Sequence, residues 1–265
     1  MVFHDSAPEP HRRFLDELKA KTEADQRLLG VAVSGSVGIG NATEESDLDL
    51  IIVVEDENFA QVMDDRMGFV SRFGKVLSAF TGEHVGEPRL IISLFEEGLL
   101  HVDFKFVTLA SFADERVEDP AVLWERESLL SDAVARNPRF YPEVNGQWIE
   151  DRFWVWVHYV GTKIKRGETL EALDSLAWLR AMAVAPMARL ARGQRNRGVR
   201  FLERDVPRLA EQLLSSHPAS GDRRELARAL TASVEAYLDA REKCSTPIVK
   251  RAEAEAVVKT YVASL

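Results

Sequence analysis

Apolar positions along this chain change period near its middle. Up to about residue 120 they come in short runs of alternating or continuous apolar character, interrupted by helical stretches. Residues 11–29 place Phe14, Leu15, Leu18 and Leu28 on one face, which predicts an amphipathic helix. Residues 30–34 read as a first strand, and the glycine-rich turn after it leads into a short helix. The run Leu48–Val54 is β-branched, continuous and bounded by polar residues, as expected of a buried strand. Residues 59–73 read as helix, and 76–80, 89–95 and 99–107 as strands, the last two joined as a hairpin through Glu96-Glu97-Gly98. Beyond residue 120 no further strand is expected.

The second half is helical in pattern. Five stretches at 148–165, 169–192, 199–216, 221–243 and 249–263 keep helical spacing, punctuated by Gly167, Gly193, Gly198, the Pro218–Gly221 cluster and Pro247. Short connections between them predict an all-α helical bundle. Residues 137–142, with Pro138 and Pro142, are the linker candidate. The expected architecture is therefore α+β: a mixed sheet flanked by helices over 1–142, and the helical bundle over 143–265.

Within the first half, one stretch carries chemistry. Gly35 and Ser36 follow the first strand; after ten intervening residues Asp47 and Asp49 stand at the head of the second. Residues two apart on a strand share a face, so both carboxylates aim at one place. Like charges so placed call for a cation, and a hard divalent ion such as magnesium takes oxygen ligands and phosphate alike. Gly35 lets a ligand approach the backbone, and Ser36 adds a hydroxyl and an amide N–H suited to phosphate oxygens. A third carboxylate, Asp103, lies on the alternating run 99–107, where His101, Asp103 and Lys105 share one face and Val102, Phe104 and Phe106 the other. Together these groups make a nucleoside triphosphate site. The spacing Gly35-x-x-Gly38-x-Gly40 fits neither the dinucleotide-binding fingerprint nor a P-loop.

The Gly-Ser pair, the gap, Ser46-Asp47-Leu48-Asp49 and the later strand aspartate resemble the DNA polymerase beta-like nucleotidyltransferase superfamily, most closely its aminoglycoside and lincosamide nucleotidyltransferases. Residues 154–168, ending Lys163-Ile-Lys-Arg-Gly-Glu168, are similar to the first helix of the helical domain in the lincosamide-type enzymes. The resemblance covers residues 30–110 closely and 150–190 loosely. It implies a nucleotidyltransferase that moves a nucleoside monophosphate, AMP from ATP, to a hydroxyl of a small molecule and releases pyrophosphate, with an antibiotic as the family-based acceptor and antibiotic resistance as the setting. Asp47, Asp49 and Asp103 would be the catalytic and metal-binding carboxylates, holding one or two magnesium ions. Gly35, Ser36, Ser46 and Lys163 would bind the nucleotide, with Lys165 the alternative lysine. Asp103 is a metal ligand, the general base, or both. Several relatives use a glutamate as base, and Glu96 and Glu97 are the fallback for it.

Charge and composition adjust this reading. A formal net charge of −9 argues against a chain built to grip nucleic acid and favours a cationic acceptor such as an aminoglycoside. The arginines 189, 192, 195, 197, 200 and 204 form the one locally basic region, read as a solvated surface or as a site for nucleic acid or a phosphorylated substrate. The single Cys244 excludes an internal disulfide, no apolar run reaches membrane-spanning length, and the N-terminus has no signal-peptide pattern, so a soluble cytoplasmic protein without membrane partners is expected. Two other functions stay open: adenylylation of a protein or RNA in a toxin–antitoxin-like system, and nucleotide binding without turnover.

Overall fold

A computed structural model describes residues 2–141 and 143–265. The chain divides into two compact units, Met1–Tyr141 and Pro142–Leu265. The expected boundary falls at Pro142, outside the described residues.

The first unit is built on a six-stranded sheet of order β3-β4-β5-β2-β1-β6. Its strands are β1 Leu28–Ser34, β2 Leu48–Val54, β3 Val76–Gly82, β4 Glu87–Phe95, β5 His101–Thr108 and β6 Ala121–Glu125. Neighbours run antiparallel except β2 and β5, which are parallel and in register from Leu48↔Val102 to Val54↔Thr108. One face is covered along its length by the Glu9–Glu23 helix and the short helices between residues 59 and 73, through Leu15, Leu18, Phe69, Phe104 and Phe106. The other is covered only in part. Helices Leu109–Asp114 and Leu129–Arg136 pack Phe112 and Leu130 on Val53 and Val107, which lie towards one end of β2 and β5. Asp49 and Asp103 sit on this same face at the other end, where burial is incomplete. The fold thus leaves one end of a sheet face open and puts the carboxylates there.

In this first unit three expectations need correction. β6 exists: it pairs with β1 from Gly30↔Glu125 to Val33↔Ala121 and closes the sheet edge. Five residues carry too little period to stand out, and edge pairing rather than local pattern makes them a strand. The first helix ends at Glu23, not near residue 29, and Leu28 opens β1. Residues 59–73 break into Phe59–Asp64, Arg66–Val70 and a 3₁₀ turn at Ser71–Phe73.

The second unit is all-α among the described residues. Its longest helices are Gly146–Arg166 and Arg223–Glu242, joined in one apolar core by Thr169–Leu179, Ala185–Leu190, Pro207–Ser215 and Ala252–Ala263. The expected helix 169–192 is interrupted by a π-helical turn at Arg180–Val184, just before Pro186. Proline offers no N–H to the carbonyl four residues back and crowds it, and a wider turn relieves both. The helix expected over 199–216 is likewise split, with Val206 leaving helical dihedrals at φ −141° and ψ 61° before Pro207.

Candidate active site

β1 ends at Ser34, and the chain turns at Gly35 into the four-residue helix Gly35–Gly38. Gly35 takes φ +63°, and a Cβ there would lie 2.0 Å from Asp49 Oδ2. No side chain fits, on dihedral and on contact grounds alike. The turn backbone is therefore pressed against the Asp49 carboxylate. Asp49 pairs with Ser34 on β1 and with Asp103 on β5, so the three occupy one row across the sheet.

Asp103 is partly buried and receives a 3.0 Å hydrogen bond at Oδ1 from the exposed ring of His101. Burial, and to a smaller degree the charge of Asp47, raise its carboxyl above the ordinary aspartate value, against the opposing pull of His101. Asp47 and Asp103 thus lie near enough for the charge of one to act on the other. Lys105, next along the same face, does not neutralise it: its Nζ lies 3.0 Å from Glu87 Oε2. Glu87, hydrogen-bonded first by Arg89 and also by Lys105, is held down to about 2 and keeps that lysine engaged.

These groups fit magnesium in kind, as hard, negative oxygen donors beside backbone donors for phosphate, but only Asp49 and Asp103 stand on strands; Asp47 lies in the loop just before β2 and not on the strand face expected for it. Among the described residues no three His, Cys, Asp or Glu groups already close around an ion.

Of the other residues singled out from sequence, Ser46 has local work. Its Oγ accepts the Thr43 N–H at 2.9 Å, and its own N–H returns to the Thr43 carbonyl at 3.1 Å. Lys163 belongs to the second unit, is nearly buried, and lies 2.9 Å from Glu168 and 3.0 Å from Glu171. The hydrogen bonds it donates to these two carboxylates raise its pKa. Lys165 lies 5.6 Å from the centre of the Tyr261 ring. Glu96 and Glu97 are tied to Lys75 and Arg13. The arginine cluster splits: Arg189 is buried, pairing with Asp205 and capping the Gly198 and Arg200 carbonyls, while Arg197, Arg200 and Arg204 surround the exposed Phe201 ring.

Two residues at the site escaped sequence reasoning. Glu118 Oε1 accepts the Gly35 N–H at 3.3 Å from 83 positions away. His11, from the first helix, contacts the Ser46 carbonyl. Neither pairing leaves a local signature, because both arise from chain crossings.

Residues 11–118 match the family model of the nucleotidyltransferase domain. The first unit is a nucleotidyltransferase domain. The matched span contains the Gly35 turn, all three aspartates, His11 and Glu118, and it makes the chain an enzyme of nucleotidyl transfer. No curated protein matches the chain in sequence. Among solved structures, an aminoglycoside 6-adenyltransferase from Bacillus subtilis is 17% identical over 95% of this chain and 96% of its own, with a TM-score of 0.41. A nucleotidyltransferase-like protein from Exiguobacterium sibiricum is 14% identical over 96% and 88%, with a TM-score of 0.38. The Thermotoga maritima CCA-adding enzyme complexed with tRNA is 11% identical over 99% and 72%, at 0.37. Similarities at this level establish no shared substrate for the nucleotidyltransferase domain.

Proposed function

We propose that the protein transfers a nucleoside monophosphate, AMP from ATP, to a hydroxyl of a small molecule, with a cationic antibiotic such as an aminoglycoside, or a lincosamide, as acceptor. The observation that carries this reading is the Gly35 backbone lying against Asp49, with Asp103 in register on the adjacent strand. Magnesium, when bound, would be held by Asp47 and Asp49, with Asp103 as a further ligand, and would supply charge neutralisation to the triphosphate. A phosphate oxygen would take the Gly35 N–H that Glu118 now holds, and Ser36 would add its hydroxyl and amide. Asp103 would accept the proton of the acceptor hydroxyl, and its raised pKa suits it better for that task than an ordinary aspartate. As that oxygen bonds to the α-phosphorus, the bond from phosphorus to the bridging oxygen breaks and pyrophosphate leaves with the electron pair.

The net charge of −9 supports a cationic acceptor, since such a surface draws cations towards it. The lone Cys244 and the absence, among the described residues, of any helix able to cross a membrane are in keeping with a cytoplasmic setting. Adenylylation of RNA or protein is a second reading, supported by Arg197, Arg200 and Arg204 gathered within 5.7 Å of the exposed Phe201 ring, a surface suited to stacking and phosphate contact.

Pyrophosphate release with magnesium and each nucleoside triphosphate, against aminoglycosides and lincosamides, tests the proposal with Asp47→Asn as blank. Acceptor-dependent release that the blank lacks is expected. Release with RNA or protein alone would transfer the assignment to the second reading. Triphosphate binding without release from any acceptor would leave a nucleotide-binding protein without turnover.

A further inference from the structure

The loop from Asn41 to Ser46 that delivers the first carboxylate is largely exposed, with Asn41, Thr43, Glu44 and Glu45 all open to solvent. Its internal bonds are the paired contacts of Thr43 with Ser46 and the Asn41 N–H to the Ser36 carbonyl. A side chain from the first helix also reaches it. His11, on the Glu9–Glu23 helix, is 1% exposed, and its Nε2 lies 2.7 Å from the Ser46 carbonyl, 35 residues on in sequence. A carbonyl only accepts, so Nε2 carries the proton and donates it. Nδ1 is buried with no hydrogen-bond partner among the described residues.

An imidazole half of whose polar capacity is unmet is a poor filler for an apolar site. Leucine or phenylalanine would pack there without stranding a polar atom. What the imidazole alone supplies is the bond to Ser46, whose carbonyl belongs to the peptide joined to Asp47. Fixing that peptide plane sets the direction in which the Asp47 side chain leaves the loop, just before Leu48 enters the buried strand.

We propose that His11 is a positioning residue for Asp47: it aims the first carboxylate at the cation site without touching cation or nucleotide. The inference rests on the reading of Asp47 as a metal ligand. A carboxylate held only by a solvent-exposed loop would sample many directions, and each wrong direction weakens the site.

Manganese(II) binding to the nucleotide-free protein, followed by electron paramagnetic resonance of the free ion, tests this. Parent, Asp47→Asn, His11→Leu, His11→Phe and His11→Gln would be compared, with circular dichroism and metal-free melting beside each titration. Folded His11→Leu and His11→Phe should bind at least fivefold more weakly than parent. His11→Gln, which keeps an N–H donor, should bind within twofold. Apolar variants that fold and bind like the parent overturn the proposal while Asp47→Asn still shows the loss. Apolar variants that do not fold overturn it as well, because the imidazole then serves the fold and not the carboxylate. If Asp47→Asn binds like the parent, the reading of Asp47 as a ligand fails first and carries the proposal with it.

Discussion

At the scale of single residues, the candidate site is a matter of missing atoms and crowded charge. Gly35 is there because the Asp49 carboxylate occupies the space of a side chain. Asp49 and Asp103 stand opposite one another on adjacent strands, and like charges so placed repel. Asp49→Asn should therefore abolish pyrophosphate release while leaving the metal-free protein as stable as the parent or slightly more so. Melting without metal checks this, and a clear drop would make Asp49 a structural residue. Residue types made this part of the site legible, since an Asp-x-Asp at a strand head after a Gly-Ser turn has few other uses. The roles of Ser46 and Lys163 were less legible. Whether a hydroxyl or an ammonium is available to a nucleotide depends on its neighbours, and here Ser46 closes a turn with Thr43 while Lys163 meets Glu168 and Glu171.

At the scale of elements, the joint between the first helix and β1 shows how the sheet is anchored. Asp25 binds Arg27 Nε at 2.9 Å and Nη2 at 2.7 Å, and Arg72 Nη1 reaches it at 3.3 Å from the 3₁₀ turn after residue 70. Hydrogen bonds from Arg27, outweighing the opposing effect of burial, hold the Asp25 carboxyl down to about 2. A carboxyl whose pKa is lower folded than unfolded stabilises fully above its unfolded value, near ~4, and loses that contribution as pH falls towards 2. Asp25→Asn should thus be less stable than the parent at pH 5, and the gap should close by about pH 2, as urea unfolding across that range would show. A gap unchanged with pH would assign the loss to packing instead of charge. This joint is also where the predicted helix ran too long. The period of the apolar residues continues through Leu28, but Leu28 is buried in β1, and sheet pairing overrides a period shared by helix and loop.

At the scale of the whole molecule, the two units are held by different means. The first closes around a sheet and a cluster of phenylalanines, including Phe14 edge-on to Phe95 and Phe73 stacked on Phe104. The second has a charged group at its centre. Glu150 is fully buried and accepts hydrogen bonds from Tyr237, Arg241, Trp154 and the Arg251 N–H, while Arg241 also meets Glu255 at 2.9 Å. Burial works against its charge, yet these donors prevail and hold Glu150 below the ordinary range. Removing one partner of such a buried pair costs about 3–5 kcal/mol, and the remaining contact with Glu255 puts Glu150→Ala near the lower end. Denaturant unfolding followed by tryptophan fluorescence reads this unit well, because Trp148, Trp154, Trp156 and Trp178 all lie in it. A loss under about 1 kcal/mol would show that Glu255 alone satisfies Arg241. The sequence by itself determined the α+β class, the strands that bear Asp49 and Asp103, the carboxylates themselves and the helical second half, because period and residue type act locally. Only the tertiary structure decided that β6 completes the sheet, that one of its faces stays open over the aspartates, and that His11 and Glu118 reach the site. Those contacts join residues far apart in sequence, and neither period nor composition records where a chain crosses itself.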